Sequence, residues 1–351
     1  MAKFLGLRLG GGGNFAYVSA RVRSKKAKLI SPDEWPKLLL RDTSDIARFL
    51  QEGTYKDEVD ELAGRYRGAE LVERATRLQV GRVYSEILGY ASGELSLVIG
   101  QYLARYDVYN VKTLLRGRFS NASPEQTLSE TIPTGMLAGR LAELSRAESL
   151  EDLADALKST PYGKLLAQHL EGRAPQNLMA LENDLDRFYY ENLLASVSTR
   201  GAANRAFHSW VRNEIDVVNL KTLFRLRFAR VTDWEPYFLD GGAQVGRESA
   251  QRIVRGSDDE AISELAGMSL GADVPEAARR SIASGTVSAV AGALDKEIIR
   301  DASDFSHRMP LSVLPVVDFI LRKKVEADNL RAIAYGKQTA LPNETIQELL
   351  L

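Results

Sequence analysis

The sequence predicts an all-α protein. Several long segments place apolar residues at the three- and four-residue spacing of an amphipathic helix, namely residues 14–30, 149–166, 177–197 and 316–336. Few segments alternate strictly between apolar and polar residues, and the residue pairs that close β-hairpins are scarce. Proline and glycine fall mostly between the periodic segments, where helices are expected to end.

The first predicted helix, in residues 14–30, is basic. Its apolar residues Phe15, Val18, Val22 and Leu29 lie roughly on one face. Residues 1–30 contain no acid and carry the cations Lys3, Arg8, Arg21, Arg23, Lys25, Lys26 and Lys28. Such a run is either a solvated helix face or a surface for anionic lipid headgroups or an acidic partner.

A thirteen-residue segment occurs twice in nearly the same form. DVYNVKTLLRGRF begins at Asp107, DVVNLKTLFRLRF begins at Asp216, and a weaker third copy, VEADNLRAIAYGK, covers residues 325–337. Asn110, Asn219 and Asn329 hold the same place in the three copies, about 110 residues apart. Three repeats therefore account for the whole chain. Polar or broken segments after the first two copies place the domains at residues 1–125, 126–232 and 233–351.

The repeated segment is predicted to be a helix with an apolar stripe in the core. The stripe consists of Val108, Val111, Leu115 and Phe119 in the first copy and of Val217, Leu220, Phe224 and Phe228 in the second.

The polar residues of the repeat are the candidate interaction residues. They are Asp107, Asn110, Lys112, Arg116, Asp216, Asn219, Lys221, Arg225, Asn329 and Arg331. Lys112 and Arg116 are four residues apart, and like charges at that spacing repel by a few tenths of a kcal/mol, so we expect acidic groups beside them. The asparagines and lysines either hold each bundle together internally, or three equivalent polar faces line one shared surface.

Composition favours a soluble cytoplasmic protein. Hydrophobic residues make up 44% and charged residues 26% of the chain, and no apolar run is long enough to span a bilayer. The N-terminus lacks the apolar core of a signal peptide. The absence of cysteine excludes disulfides and thiolate chemistry. The net charge of −1 argues against nucleic acid as a partner.

No motif in the sequence predicts catalysis, a metal site or a cofactor. The glycine run at residues 10–13 lacks the Lys-Ser or Lys-Thr of a phosphate-binding loop, so a linker or tight turn is expected there. His169, His208 and His307 are isolated from one another and from other ligand types. No serine lies in a GxSxG elbow.

Taken together, these motifs resemble the C subunit of the archaeal-type (A/V-type) rotary ATPases, the counterpart of the eukaryotic d subunit. NFAYVSARVRSKKAKLI (14–30) is similar to the N-terminal signature of that family. LPVVDFILRKKVEADNLRAIAYGK (314–337) is similar to its C-terminal signature, and the two DVxNxKTLxRxRF copies fit its internal repeats. The third copy departs from the pattern, because Tyr335 and Gly336 replace Arg225 and Leu226.

The resemblance implies three similar helical bundles with pseudo-threefold symmetry in a funnel. It implies a non-catalytic central-stalk rotor subunit, peripheral on the cytoplasmic face of the cell membrane. The implied partners are the membrane proteolipid (c/K) ring and the central shaft made by the D and F subunits, with no nucleic acid or small-molecule substrate. Torque would pass through the subunit during proton- or sodium-coupled ATP synthesis or hydrolysis.

An alternative function is a helical-repeat adaptor for a peptide or single-stranded RNA. Lys112, Arg116, Lys221 and Arg225 lie beside the aromatic residues Tyr106, Tyr109, Phe224 and Phe228. Aromatic stacking next to positive charge suits single strands.

Overall fold

A computed structural model describes residues 13–171 and 178–351 of the chain. The regular structure of these residues is helical throughout, which confirms the prediction of an all-α protein. The helices are α1 (Phe15–Lys26), α2 (Trp35–Leu38), α3 (Thr43–Glu52), α4 (Lys56–Leu62), α5 (Gly68–Tyr90), α6 (Gly93–Phe119), α7 (Pro124–Ser129), α8 (Leu141–Leu144), α9 (Leu150–Ala156), α10 (Pro161–Glu171), α11 (Leu178–Ser196), α12 (Ala202–Phe228), α13 (Arg247–Arg255), α14 (Asp258–Ala266), α15 (Asp273–Ser284), α16 (Ser288–Arg308), α17 (Leu314–Gln338) and α18 (Asn343–Glu348).

The helices recur three times in one order. Each set has three shorter helices, then a long helix, then a helix of 25 or 27 residues that carries the repeated segment. The sets are α2–α6, α8–α12 and α13–α17. The second helix of each set begins after a capping residue whose side chain accepts a backbone N–H of the first helical turn. These capping residues are Asp42, Ser149 and Ser257. We call α6, α12 and α17 the signature helices.

Contacts divide the chain into two compact units. The first contains the residues up to 178 together with residues 316–351, and the second contains residues 179–315. The last signature helix, α17, thus belongs almost entirely to the same unit as the first helices of the chain. The division into three domains at residues 125/126 and 232/233 and the pseudo-threefold funnel stay predictions.

In the first unit, one hydrophobic core joins the two ends of the sequence. Buried residues of the first helix set, such as Ile46, Leu50 and Val72, lie in one cluster with Leu330 of α17 and Ile346 of α18. Burial of each such side chain contributes roughly 1.5–3 kcal/mol. The C-terminal helices therefore complete the core of the N-terminal helix set.

A buried ionic network reinforces this closure. The ammonium group of Lys323 donates to Glu326 Oε1 at 2.7 Å and to the Tyr55 hydroxyl at 3.0 Å. The Tyr55 hydroxyl in turn donates to Glu326 Oε1 at 2.7 Å, and the Ile30 N–H donates to Glu326 Oε2 at 2.6 Å. Lys323 and Glu326 are each 3% exposed. Burial lowers the pKa of Lys323, and burial beside Glu326 raises the pKa of Tyr55.

In the second unit, α12 packs against α13 and α16. Trp210 and Phe207 of α12 are buried, with nearly parallel rings 6.3 Å apart, and Phe224 of the same helix is also buried. The repeated helix thus supplies large aromatic side chains to the core of this unit.

Two of the predicted helices differ from the structure. Residues 149–166 form α9 and α10 rather than one helix, because Pro161 lacks an N–H and disfavours a helical backbone at Thr160. The Thr160 hydroxyl instead donates to the Leu157 carbonyl at 2.7 Å. The helix predicted for residues 14–30 ends at Lys26, so Leu29 lies outside α1. The remaining two segments are helical, as α11 and α17.

The predicted core stripe is correct except at the ends of the helices. Phe119 is 39% exposed, and its counterpart Phe228 is half-buried. Each is the last residue of its signature helix, so no further helical turn covers its outer side.

The ionic network generates a stability prediction. Glu326→Gln keeps an acceptor for the Ile30 N–H but removes the charge that balances Lys323. We expect it to lower the free energy of unfolding by about 3 kcal/mol, because a buried charge is left unpaired. Urea denaturation followed by circular dichroism measures the loss. The double variant Lys323→Met/Glu326→Gln should recover most of it, and equal instability of both variants would contradict the ionic explanation.

Candidate functional site

The three asparagines of the repeat make the same pair of hydrogen bonds. Each side-chain amide donates to the carbonyl oxygen, and accepts from the N–H, of one residue 20 or 22 positions later. The pairs are Asn110 with Ile132, Asn219 with Leu239 and Asn329 with Leu351. The N···O distances in the first two pairs are 2.8–2.9 Å, and those of Asn329 are 3.3 and 3.0 Å. All three side chains are buried.

An acid three residues before each asparagine binds a second segment of backbone. Asp107 accepts the N–H groups of Met136 and Leu137 at 3.1 and 3.0 Å. Asp216 accepts those of Ala243, Gln244 and Val245 at 2.8–3.0 Å. In the third copy the acid is Glu326, which accepts the N–H of Ile30.

Leu137, Val245 and Ile30 hold equivalent places, each twelve residues before the side chain that caps the second helix of a set. The acid of α6 therefore holds the start of the second helix set, and the acid of α12 holds the start of the third. The acid of α17 holds the start of the first set. We call each acid, its asparagine and the backbone that they bind a junction.

Glycine allows two of the junctions to close. A side chain at Gly135 would place its Cβ 2.4 Å from Asp107 Oδ1, and Gly135 has a left-handed φ of +86°. A Cβ at Gly242 would lie 2.1 Å from Asp216 Oδ1. Only glycine lets the backbone approach these carboxylates so closely.

The three acids differ in how their charge is balanced. Burial raises the pKa of Asp107 to about 7, against the opposing effect of its two N–H donors. Burial also raises the pKa of Asp216, which is opposed by three N–H donors and by Arg212. Glu326 has a lysine within hydrogen-bonding distance, as neither aspartate does among the described residues. Of the three acids, Asp107 is therefore the one whose buried negative charge is least balanced by neighbouring donors and cations.

The cations of the repeat fall into a half-buried and an exposed class. Lys112, Lys221 and Arg331 hold one equivalent position and are half-buried. Lys221 forms an ion pair with Asp295 of α16, and Arg331 pairs with Asp328 at 3.2 Å. Acids thus lie beside Lys221 and Arg331. Arg116 and Arg225 hold the other position and are exposed, and in the third copy Tyr335 donates there to Glu73.

Each signature helix ends in the same left-handed turn. The described residues with positive φ that are not glycine are Asn121, Arg230 and Ala340, fourteen positions after the three acids. At each turn an N–H bonds back to the carbonyl of the residue five positions earlier, which closes the helix end. Sequence patterns do not reveal these turns, because none of the three residues is glycine.

A cavity of about 750 Å³ lies in the first unit between the ends of two signature helices. Tyr109 and Arg116 line it from α6, Tyr335 lines it from α17, and Glu70 and Glu130 add negative charge. Arg116 of the first copy and Tyr335, at the equivalent position of the third copy, thus both face this cavity.

Across residues 13–171 and 178–351, no three histidine, aspartate or glutamate side chains are grouped to hold a metal ion. His307 bonds through Nδ1 to the Ser303 carbonyl, and His169 and His208 are half-buried. Gly10, Gly11 and Gly12 of the predicted linker lie outside the described residues. The same ranges contain no helix with the length and apolar character needed to cross a membrane.

Burial of the aromatic residues weakens the nucleic-acid alternative. Tyr106 is 4% exposed and Phe224 is fully buried, so neither ring can stack on a base. Tyr109 and Phe228 are half-buried.

The asparagine bonds predict a graded loss of stability. Asn219→Ala should lower the free energy of unfolding by about 3 kcal/mol, because it leaves a buried N–H and a buried carbonyl without partners. Asn110→Ala should lower it by about 2 kcal/mol, because the Ile132 N–H loses its partner whereas the Ile132 carbonyl keeps the Thr134 N–H. Asn329→Ala should cost less, since its bonds are longer and Leu351 is partly exposed, so that water can replace the amide. Chemical denaturation of the three variants tests the order. An equal or larger loss for Asn329→Ala would contradict it.

The raised pKa of Asp107 predicts a pH dependence of stability. In the unfolded chain its pKa is about 3.9, whereas in the folded protein it is about 7, so the folded state binds the proton more tightly. The contribution of this group is therefore greatest below about pH 4 and is lost as the pH rises through about 7. The melting temperature of the natural protein, measured relative to that of Asp107→Asn, should therefore be higher at the low-pH end of this window than at the high-pH end. A difference that stays constant from pH 4 to 8 would contradict the prediction.

Comparison with known proteins identifies the family. The ATP synthase (C/AC39) subunit family matches residues 18–349. The C subunit of the A-type ATP synthase of Methanosarcina acetivorans is 36% identical over 346 residues, which cover 97% of this chain and 94% of that protein. The C subunits of Methanococcoides burtonii and Halobacterium salinarum are 34% and 33% identical, cover 97% of this chain, and are themselves covered over 95% and 98% of their length. The chain therefore belongs to the ATP synthase (C/AC39) subunit family of rotary ATPases.

Proposed function

We propose that the chain is a non-catalytic coupling part of the rotor of an A-type ATP synthase. It would lie on the cytoplasmic face of the membrane and join the proteolipid ring to a central shaft made by the D and F subunits. The relatives named as C subunits of A-type ATP synthases support a place in this complex. The observation that carries the mechanical role is the threefold recurrence of the junction, with the first helix set held by the last signature helix.

A coupling part must resist slipping under load. One charge crossing a membrane potential of 100 mV releases roughly 2.3 kcal/mol, and several charges per ATP give a load on the order of 10 kcal/mol. One exposed salt bridge, worth about 0–1 kcal/mol, does not withstand this load. A partner interface of roughly 1,000 Å² or more with a desolvated centre does.

The junctions suit a part that transmits torque internally. Two of them join a signature helix to the start of another helix set by several hydrogen bonds to the backbone, and the third does so through the bond from the Ile30 N–H to Glu326. A buried polar group that loses its partner costs about 1–3 kcal/mol, so a junction resists opening in a concerted way. A force on one signature helix is therefore passed to the helix set that it holds.

Within this proposal, three similar bundles with pseudo-threefold symmetry surround the end of the shaft. The candidate contacts are the exposed cations Arg116 and Arg225. The buried candidates, Asp107, Asn110, Asp216, Asn219 and Asn329, act instead on the chain's own backbone.

Capture experiments test the proposed function. The full chain should bind both the detergent-solubilised proteolipid ring and the assembled D–F shaft, each presented separately on a support. The double variant Arg116→Glu/Arg225→Glu should bind at least one of them about tenfold more weakly, since reversal of close interfacial charges costs more than about 1.4 kcal/mol.

Two controls separate the claims. Arg279→Glu/Arg280→Glu makes the same charge change on exposed residues of α15 and should leave both affinities unchanged. A folded natural chain that binds neither ring nor shaft would refute the coupling function. Unchanged binding by Arg116→Glu/Arg225→Glu would refute only the contact residues.

A further inference from the structure

The helix α1 and the segment after it carry an excess of positive charge. Residues 13–30 contain no acid, and their cations are Arg21, Arg23, Lys25, Lys26 and Lys28. In the described part of the chain, this helix precedes the first helix set and has no counterpart of its length directly before the second or third set. Its charge therefore does not follow from the repeat.

Neighbouring carboxylates balance only part of this charge. Lys25 Nζ lies 2.6 Å from Glu86 Oε2, and Lys26 Nζ lies 2.5 Å from Asp318 Oδ2. Asp318 is also shared with Arg322, whose Nε lies 2.8 Å from Oδ1. Three cations, Lys25, Lys26 and Arg322, thus share two carboxylates, in a protein whose overall net charge is −1.

The remaining cations point to solvent. Arg23 and Lys28 are exposed, and the described part of the chain gives neither of them an ion pair. The guanidinium of Arg21 lies 4.4 Å from the centre of the Tyr90 ring and donates to the Tyr90 hydroxyl at 2.7 Å. Beside it Tyr17 is 51% exposed, and its ring centre lies 6.3 Å from that of Tyr90. Exposed arginine, lysine and tyrosine are the side chains enriched where proteins meet lipid headgroups.

The shape of this surface favours a membrane over a peptide. Arg21 and Arg23 lie on opposite flanks of an exposed helix face whose middle carries Ala16 and Ala20. The cavity of the first unit is lined by Tyr335, near the end of α17, whereas α1 binds Asp318 near its start. Seventeen residues of helix separate these points by roughly 25 Å. Charge spread over a convex helix, away from this cavity, suits an extended anionic surface.

We propose that α1 binds the anionic phospholipid headgroups of the membrane through Arg21, Arg23, Lys28 and Tyr17. The contact rests on the proposed function for its place beside the membrane, and it adds a second attachment besides the protein partners. Attraction of this kind is electrostatic and is screened within about 8 Å at physiological ionic strength.

Vesicle sedimentation with the full chain tests the proposal without the rest of the complex. The chain should bind vesicles of phosphatidylcholine mixed with phosphatidylglycerol, bind them less as salt rises, and not bind phosphatidylcholine alone. Arg23→Glu/Lys28→Glu should lower the partition coefficient at least about tenfold, because each cation near an anionic surface contributes roughly a fivefold factor. The matched control Arg279→Glu/Arg280→Glu should bind like the natural chain.

Three outcomes would overturn the lipid contact. The natural chain does not bind the anionic vesicles, or Arg23→Glu/Lys28→Glu binds them equally well. In the third, soluble poly-glutamate binds in an Arg23- and Lys28-dependent manner whereas vesicles do not, which would assign the surface to an acidic protein partner. Ring and shaft capture by Arg23→Glu/Lys28→Glu separates this contact from the coupling function, since the variant should still bind both.

Discussion

The fold depends on satisfying the backbone of the irregular segments that follow the signature helices. Buried N–H and carbonyl groups outside helices need partners, and an unpaired group costs about 1–3 kcal/mol. An asparagine side chain offers an NH2 donor group and a carbonyl acceptor side by side in one plane, so it can bind both groups of one residue. Asn110, Asn219 and Asn329 each do so, and no charged side chain could make both bonds. This explains why the asparagine persists in all three copies when most other positions of the third copy change.

The acid of each junction binds backbone N–H groups alone, and its binding requires the burial of a carboxylate. The carboxylate accepts N–H groups only. This suits the starts of the helix sets, where it binds the N–H groups of consecutive residues that end at Leu137 in one set and at Val245 in the other. Burial of the carboxylate opposes its ionisation, most clearly at Asp107. In the third copy the longer Glu326 reaches Ile30, which lies at the other end of the sequence, and Lys323 balances the charge. Of the three junctions, the one between the last signature helix and the first helix set is therefore the one whose acid forms an ion pair with a lysine.

Sequence alone predicted the helical class, the repeated helix and the positions of its polar residues. It did not predict their partners, because Ile132, Leu239 and Leu351 share no pattern and lie 20–22 residues further along the chain. Glu326 is hidden as the third acid because it belongs to a weak copy with glutamate in place of aspartate. A comparison of residues three positions before each asparagine would have found it. The turns at Asn121, Arg230 and Ala340 and the exposure of Phe119 arise from how the helices end, which periodicity does not report.

What the three copies share and where they differ bears on the coupling role. The shared positions are the asparagines, the acids and the cations Lys112, Lys221 and Arg331, and they are buried or half-buried. The equivalent exposed position changes from Arg116 and Arg225 to Tyr335. The repeat thus preserves the junctions rather than three identical binding faces. In the proposed rotor this difference would restrict how the chain holds the central shaft. Three identical faces would accept it in three equivalent orientations and let it step between them, whereas unlike faces favour one orientation and resist slipping.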